Sequence, residues 1–412
     1  MAKGKTPGRK RGEVMTASAP IAILGGGIMG CLLALSLARR GRTSILLERD
    51  HALLNGASRW NEGKIHLGYL YAASGSLDTA RRILPGGLQF RSLIERCLDH
   101  DIGAWITPGV DHYLLHPDSL VDAAQTDRYF RKVDALLAEA CGPQSGTPPP
   151  RSNRLDPADL ADWAPGLARS GGWQIPEYSV DTRALADALS ARILGEPHIE
   201  VRCDSEILAV EPAGTDTFRI KLANQAPVIA GTVCNALWAG RPAIDQSCLG
   251  QADAQPHHRY RVSAFIDGAA TTTHPSAVLG FGAFGDVKSY GAGRFYASWY
   301  PAGLLAEGPD LTPPPLTALT PQARDKIRDG IREGLTRHLP QADRIFETAE
   351  AVRIEGGWVY ARGRGQISER GASLHKRDKW GVLRSGNYLS IDTGKYSVAP
   401  WMAEQLAASL TD

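Results

Sequence analysis

Gly25, Gly27 and Gly30 have the spacing G-x-G-x-x-G, where a short apolar run, Ile21–Leu24, meets helical apolar spacing from Ile28 to Arg40. Such a turn can bind phosphate. Gly25 lets the chain leave the strand tightly, Gly27 lets a pyrophosphate approach the backbone, and Gly30 lets helix and strand pack closely. The helix N-terminus adds free N–H groups and a partial positive charge. The next strand-like run, "TSILLE", ends at Glu48, 23 positions after Gly25. An acid there accepts hydrogen bonds from a ribose 2′-OH and disfavours a 2′-phosphate. A glycine turn with no ligand is the plainer reading. It does not explain why strand, helix, second strand and acid all fall in order.

A second polar constellation follows. "GASRWNEGKIHLG", residues 56–68, carries Arg59, Asn61, Glu62, Lys64 and His66 between Gly56, Gly63 and Gly68. It is too polar for a core strand and too glycine-rich for a stable helix. Long ordered loops in compact domains are usually functional. A dinucleotide that extends far beyond its pyrophosphate needs such a second cradle for its ribityl chain and ring, which favours FAD over NAD as the cofactor.

These residues must be positioned by a chain of 412 residues, long enough for two domains. Hydrophobic residues make up 43% and charged ones 22%, as in a globular protein. A net charge of +2 gives no reason to expect a nucleic-acid partner. The start, "MAKGKTPGRKRGE", lacks apolar periodicity and reads as a disordered basic arm over 1–18; Met15 is an alternative start. No signal-peptide core and no membrane-length apolar run is present, so no integral membrane span is expected. Six cysteines at 31, 97, 141, 203, 234 and 248 form no C-x-x-C pair and no metal spacing. Reduced thiols in the cytoplasm, with no metal, is the simple reading.

The fold class expected is α/β, with a Rossmann-like FAD-binding domain and an interleaved antiparallel-sheet substrate domain. The FAD-binding domain is expected over 19–95, 151–250 and 346–412, and the substrate domain over 96–150 and 251–345. Residues 85–140 look helical, and "GPQSGTPPPRSN" is a loop. "IEVRC", "EILAVEP", "FRIKLA" and "TVCNALWAG" together predict a small antiparallel meander, and "YRVSAFID", "SAVLGF" and "GRFYASWYP" a second sheet. "VDTRALADALSARIL", "PQARDKIRDGIREGLTRHL" and "APWMAEQLAASL" predict helices, the last with Pro400 in its first turn.

The pattern resembles the D-amino-acid oxidase/glycine oxidase superfamily of FAD-dependent oxidoreductases. The resemblance rests on "ILGGGIMG", "LLERD", the G-A-S…N-x-G-x-x-H loop, "GGWQIPEYSVDTRAL", "VCNALWAG" and "GNYLSIDTGKYSVAPWMAEQLA". The His-bearing loop is also similar to that of 2-hydroxyglutarate oxidases in the same superfamily. The resemblance implies that Gly25, Gly27, Met29 and Gly30 contact the pyrophosphate, and that Glu48 and Arg49 lie on the adenosine ribose side. It implies that Ala57, Ser58, Asn61, Gly63 and Lys64 run along the pyrophosphate, ribityl and ring edge, and that Ile207 pairs with adenine through its backbone. Gly394, Lys395 and Tyr396 would close over the flavin's carbonyl edge. The chain departs from the common family pattern in having Thr393-Gly394-Lys395 where Gly-His-Gly is usual, and in a poorer match over 255–385.

The implied function is oxidation of a small amine, amino acid or 2-hydroxy acid by hydride transfer to flavin N5, with oxygen or another electron acceptor taking the electrons. His66 is a candidate base, charge or flavin attachment point. Lys395, near the N-terminus of the last helix, would stabilise negative charge on a reduced flavin. Arg259, Arg362, Arg364, Arg370 and Arg377 are candidates to clamp a substrate carboxylate. Tyr290, Trp299 and Tyr300 could wall the site, although "YASWY" alternates like a strand and core packing is the stronger reading for Trp299. H-E-x-x-H and G-x-S-x-G are absent. Gly285-Asp286 resembles a flavin-contacting pair of aromatic hydroxylases, but it sits in the middle of the presumed substrate half and the closing segment has no matching pair, which weakens the alternative of an NAD(P)H-dependent monooxygenase. A non-catalytic dinucleotide-binding protein is another.

Overall fold

The structure is a computed structural model, and it describes residues 20–142, 148–251, 255–271 and 274–411. The expected basic arm and part of the 142–153 loop lie outside these residues.

Two sheets carry the fold. The first has six strands in the order Gly381–Ser385, Tyr388–Asp392, Thr232–Asn235, Ile21–Leu24, Ser44–Leu47 and Ile199–Arg202. Its pairings are parallel except at the Gly381–Ser385 edge. The helix Ile28–Ala38 follows the first strand, and all its residues are buried between the sheet and its neighbours, including the last helix, Ala399–Ser409. Burial on every side explains its nearly continuous apolar sequence.

The meander reading holds for Ile207–Pro212 and Phe218–Leu222, which form a three-stranded antiparallel sheet with Val228–Ala230, a strand the sequence reading did not name. Ile199–Arg202 and Thr232–Asn235 instead pair in parallel within the six-stranded sheet. Short apolar strands look alike in sequence whichever sheet takes them.

The second sheet has nine strands and is antiparallel except where Ala277–Gly280 runs parallel to Asp111–Leu115. Its spine is Pro256–Asp267 paired with Ala351–Arg362 over twelve residues, Pro256↔Arg362 to Asp267↔Ala351. The expected strands at 260–267, 276–281 and 293–301 all lie here. So do Asn153–Arg154 and Gly172–Ile175. Asp111–Leu115 interrupts the expected helical stretch, which forms as Asp78–Leu98 and Ala123–Cys141. The helix Pro321–Thr336 buries Ile327, Ile331 and Leu335 in the core of this sheet.

Three glycines let the layers pack closely against the polar loop and the closing segment. Helix Asp78–Leu98 continues through Pro85-Gly86-Gly87. A Cβ on Gly87 would collide with the His66 carbonyl, and one on Gly86 would lie 2.8 Å from Val398 Cα. Likewise a Cβ on Gly357 would lie 2.5 Å from Ala57 Cα. The bare backbone thus lets a helix and a strand approach the loop from two directions.

Candidate active site

The glycine turn is built as its sequence requires. Gly25 has φ +101°, and a Cβ on Gly30 would collide with the Gly25 carbonyl. Glu48 accepts from the Gly26 N–H at 2.6 Å and the Asp50 N–H at 2.9 Å. Burial pushes its carboxyl above the ordinary range, and those two N–H bonds oppose the rise. Arg49 is exposed, 3.6 Å from Asp50. Met29 is buried in the helix, and Ile207 opens the first meander strand.

The polar loop returns to this turn. Ser58 Oγ accepts from the Ile28 N–H at 2.9 Å, and it lies 3.2 Å from where a Gly27 Cβ would stand. Asn61 folds the loop on itself: its Nδ2 donates to the Ala57 carbonyl at 2.8 Å, and its Oδ1 accepts from the Gly63 N–H at 2.8 Å. Gly63 has φ +62° and passes the Val180 carbonyl too closely for any Cβ. Lys64–Ile65 then pairs with Tyr178–Ser179, which fixes where His66 emerges.

Beyond the loop lies a cavity of about 240 Å³. Its wall includes Glu62, Lys64, His66, Tyr71, Arg259, Arg261, Asp286, Tyr300, Arg377 and Lys395. These side chains come from the polar loop, the spine strand, the far strands of the second sheet and the closing segment, so the structure brings His66, Lys395, Arg259 and Tyr300 together. Lys395 Nζ lies 3.4 Å from His66 Nε2. Burial, then the Lys395 charge, holds the His66 imidazole neutral, well below its ordinary pKa. Lys395 is lowered to about 8 by burial and by Arg377. An ammonium can only donate, so His66 Nε2 accepts and the ring proton sits on Nδ1. That buried Nδ1 has no partner among the described residues.

Arg259 is 2% exposed, and its Nη1 donates to the Tyr300 hydroxyl at 3.0 Å. Arg261 lies over the Tyr300 ring at 4.5 Å. Arg377 donates to the Tyr360 carbonyl at 2.5 Å and is lowered to about 10 by desolvation and by Arg259. Arg364 and Arg370 are exposed. Tyr290 is buried and donates to the Glu62 carbonyl at 3.0 Å. Trp299 packs over Gly334 and His338, as its core reading expected. Asp286 lines the cavity, bonded to Ser298.

A buried charge cluster behind the loop escaped the sequence reading. Lys64 pairs with Asp111 and, at 3.2 Å, with Glu177, while Lys288 pairs with Asp111 at 3.0 Å. Glu177 Oε1 also accepts from the Leu67 and Gly68 N–H groups at 2.6 and 3.2 Å, which anchors the backbone just after His66. The only sequence signal was a charge at an inward position of each β-rich run, as at Asp111 and Lys288.

At the closing segment Gly394 has φ +64° and donates its N–H to Asp392 Oδ1 at 2.9 Å. The Trp380 ring fills the space a side chain there would need. Tyr396 lies beside Phe90, ring centroids 5.9 Å apart.

The residues fit a flavin dinucleotide. The glycine turn and Ser58 form a backbone-lined approach at one end. At the other, His66 Nδ1, Tyr71 Oη and Arg259 Nε are buried polar atoms without partners among the described residues. Such atoms call for a polar ligand.

Turn, sheet and cavity together define an α/β flavoprotein oxidoreductase. Residues 20–376 match the model of the family described as FAD dependent oxidoreductase, and the chain belongs to that family, whose cofactor is FAD. Glycerol-3-phosphate dehydrogenase 1 of Mycobacterium tuberculosis is 32% identical over 158 residues, 37% of this chain and 28% of that protein. The match thus spans less than a third of that relative's length. Among solved structures, L-alpha-glycerophosphate oxidase of Mycoplasma pneumoniae with FAD bound aligns with TM-score 0.65 and 14% identity, covering 96% of this chain and 95% of that one. Glycine oxidase of Geobacillus kaustophilus aligns with TM-score 0.64 and 16% identity, covering 96% and 94%. At these identities the two structures bear on the fold alone. No helix among the described residues is long and apolar enough to cross a membrane.

Proposed function

We propose that the enzyme oxidises a small carboxylate-bearing 2-hydroxy or 2-amino acid at the carbon beside the carboxylate. One observation carries this reading: Arg259, buried in the cavity wall, has a phenol as its side-chain partner and no carboxylate among the described residues. Its fork matches a substrate carboxylate. FAD, when bound, supplies the two-electron sink for the substrate's C–H hydrogen, and oxygen or another acceptor restores it.

The chain's own residues do the rest. Arg259 and Tyr300 orient the carboxylate. Lys395 in its neutral form takes the hydroxyl or amine proton on Nζ, while His66 Nε2 holds that amine in place. His66 Nδ1–H donates into the site. We assign the pyrophosphate to Gly25, Gly27, Met29 and Gly30, the adenosine side to Glu48, Arg49 and Ile207, and the remaining length to Ala57, Ser58, Asn61, Gly63, Lys64, Gly394, Lys395 and Tyr396. In this reading the six-stranded sheet and the meander form the FAD domain and the nine-stranded sheet the substrate domain. The free cysteines among the described residues accord with a cytoplasmic location.

Anaerobic titration tests the function. Bleaching of the flavin absorbance by 2-hydroxy or 2-amino acids is the expected result. Reduction by NAD(P)H alone would replace it with a monooxygenase, and a yellow protein that no donor reduces would replace it with a non-catalytic binder.

A further inference from the structure

Asp392 ends the strand Tyr388–Asp392, three residues before Lys395, and is 4% exposed. Its Oδ1 accepts from the Gly394 N–H at 2.9 Å, and the chain turns through Gly394 at φ +64°. Lys395 leaves that turn with its backbone tied on both sides. Its N–H donates to the Thr393 carbonyl at 2.6 Å, and its carbonyl accepts from the Val398 N–H at 3.1 Å.

The second oxygen of Asp392 faces cations from two other elements. Arg241 Nη2, at the start of the helix Arg241–Leu249, lies 3.7 Å from Oδ2. Arg362 Nε, at the end of the strand paired with the spine, lies 3.9 Å from it. These distances suit charge pairing and are too long for direct hydrogen bonds. Arg377, on the cavity wall, acts on the same carboxylate through its charge. One side chain of the six-stranded sheet is thus tied to the nine-stranded sheet where the closing turn begins.

The turn alone asks only for an oxygen that accepts from Gly394, and an uncharged Asn would supply it. A buried carboxylate costs far more to desolvate than an amide, so its charge points to a second task. The charge has an object. Arg377 lowers Lys395, and Asp392 acts on Arg377 in the opposite sense. The other groups that face Lys395 are His66, Tyr71, Glu62, Glu177 and Arg259.

We propose that Asp392 is a positioning residue for Lys395. Through Gly394 it fixes the turn that carries the amine, and its negative charge offsets the arginines that surround that amine. The inference deepens the function proposed above and rests on its assignment of Lys395 to the flavin. Removing the charge leaves Arg377 less compensated, which favours the neutral form of Lys395.

The test is a pH titration of the FAD-loaded enzyme read from the flavin spectrum, which needs no substrate. The parent should show a transition at about pH 8 that Lys395→Met abolishes. Asp392→Asn keeps an oxygen for Gly394 and loses the charge, so the midpoint should fall by about 0.5–1 pH unit. Asp392→Ala loses both, and with a donor that bleaches the flavin its reduction should run about 10- to 100-fold slower than in the Asn variant. If the Asp392 variants fail to fold, Arg362→Gln decides. It withdraws a cation from the carboxylate, and the midpoint should rise. A midpoint unmoved in Asp392→Asn, or in Arg362→Gln where that variant decides, would overturn the proposal, as would a parent spectrum without the transition. The two readings fail separately. A shifted midpoint without bleaching by any 2-hydroxy or 2-amino acid sinks the oxidation and spares the role of Asp392. Bleaching with an unmoved midpoint does the reverse.

Discussion

Lys395 Nζ rests 3.4 Å from His66 Nε2, joining the closing segment of the chain to the loop that follows its second strand. With Lys395 lowered to about 8, the pair carries one positive charge at neutral pH and none well above it. In the proposed mechanism the neutral amine accepts the substrate proton, so flavin reduction should quicken as pH rises through about 8 and then level off. The cation favours an anionic ligand, so affinity should weaken over the same interval. Stopped-flow reduction and ligand titration across this range separate the two limbs, and Lys395→Met should flatten both.

Arg259 is proposed to hold the substrate carboxylate, so removing it should raise the dissociation constant of carboxylate ligands. Arg259→Met is expected to cost about 10- to 100-fold, the worth of a charge-assisted pair. Tyr300→Phe removes one neutral hydrogen bond, and about tenfold or less is expected. Spectral titration of the flavin measures both. An Arg259 variant that binds as tightly as the parent would show that the carboxylate sits elsewhere.

Gly87 tests the packing against the loop. Gly87→Ala drives a methyl group into the His66 carbonyl and should destabilise the fold by about 1–3 kcal/mol. It should also loosen FAD, because the backbone at His66 must move. A Cβ on Gly371 meets nothing within 4 Å, so Gly371→Ala should fall within about 0.5 kcal/mol of the parent. Thermal melts with and without added FAD give the comparison.

The buried cluster behind the loop predicts a non-additive pair. Lys64→Met leaves Glu177 without its cation and should cost about 3–5 kcal/mol. Glu177→Gln removes the stranded charge, so the double variant should be less destabilised than the sum of the singles. Denaturant midpoints of the four proteins complete the cycle. Strict additivity would mean that Lys64 and Glu177 do not interact.

Much of the nucleotide half was legible because its chemistry is local. Gly25, Gly27, Gly30 and Glu48 lie within 24 residues, and the turn needs those residue types at those spacings. Arg259 and Arg377 were visible only as members of a list of arginines. What distinguishes them from exposed Arg364 and Arg370 is a strand register and a loop path set by contacts distant in sequence. Asp111, Glu177 and Lys288 were missed for the same reason, since each is explained only by partners far along the chain. The parallel placement of Ile199–Arg202 and Thr232–Asn235 was likewise hidden, because strand composition does not name a neighbour.

Tyr388–Asp392 pairs in register with Thr232–Asn235, and Lys395 follows it within three residues. A ribosome delivers that strand only after nearly four hundred residues have already emerged. The nascent polypeptide therefore holds the glycine turn long before it has the strand that pairs beside it. On the cofactor assignment proposed above, coenzyme capture waits until a strand distant in sequence has found its slot.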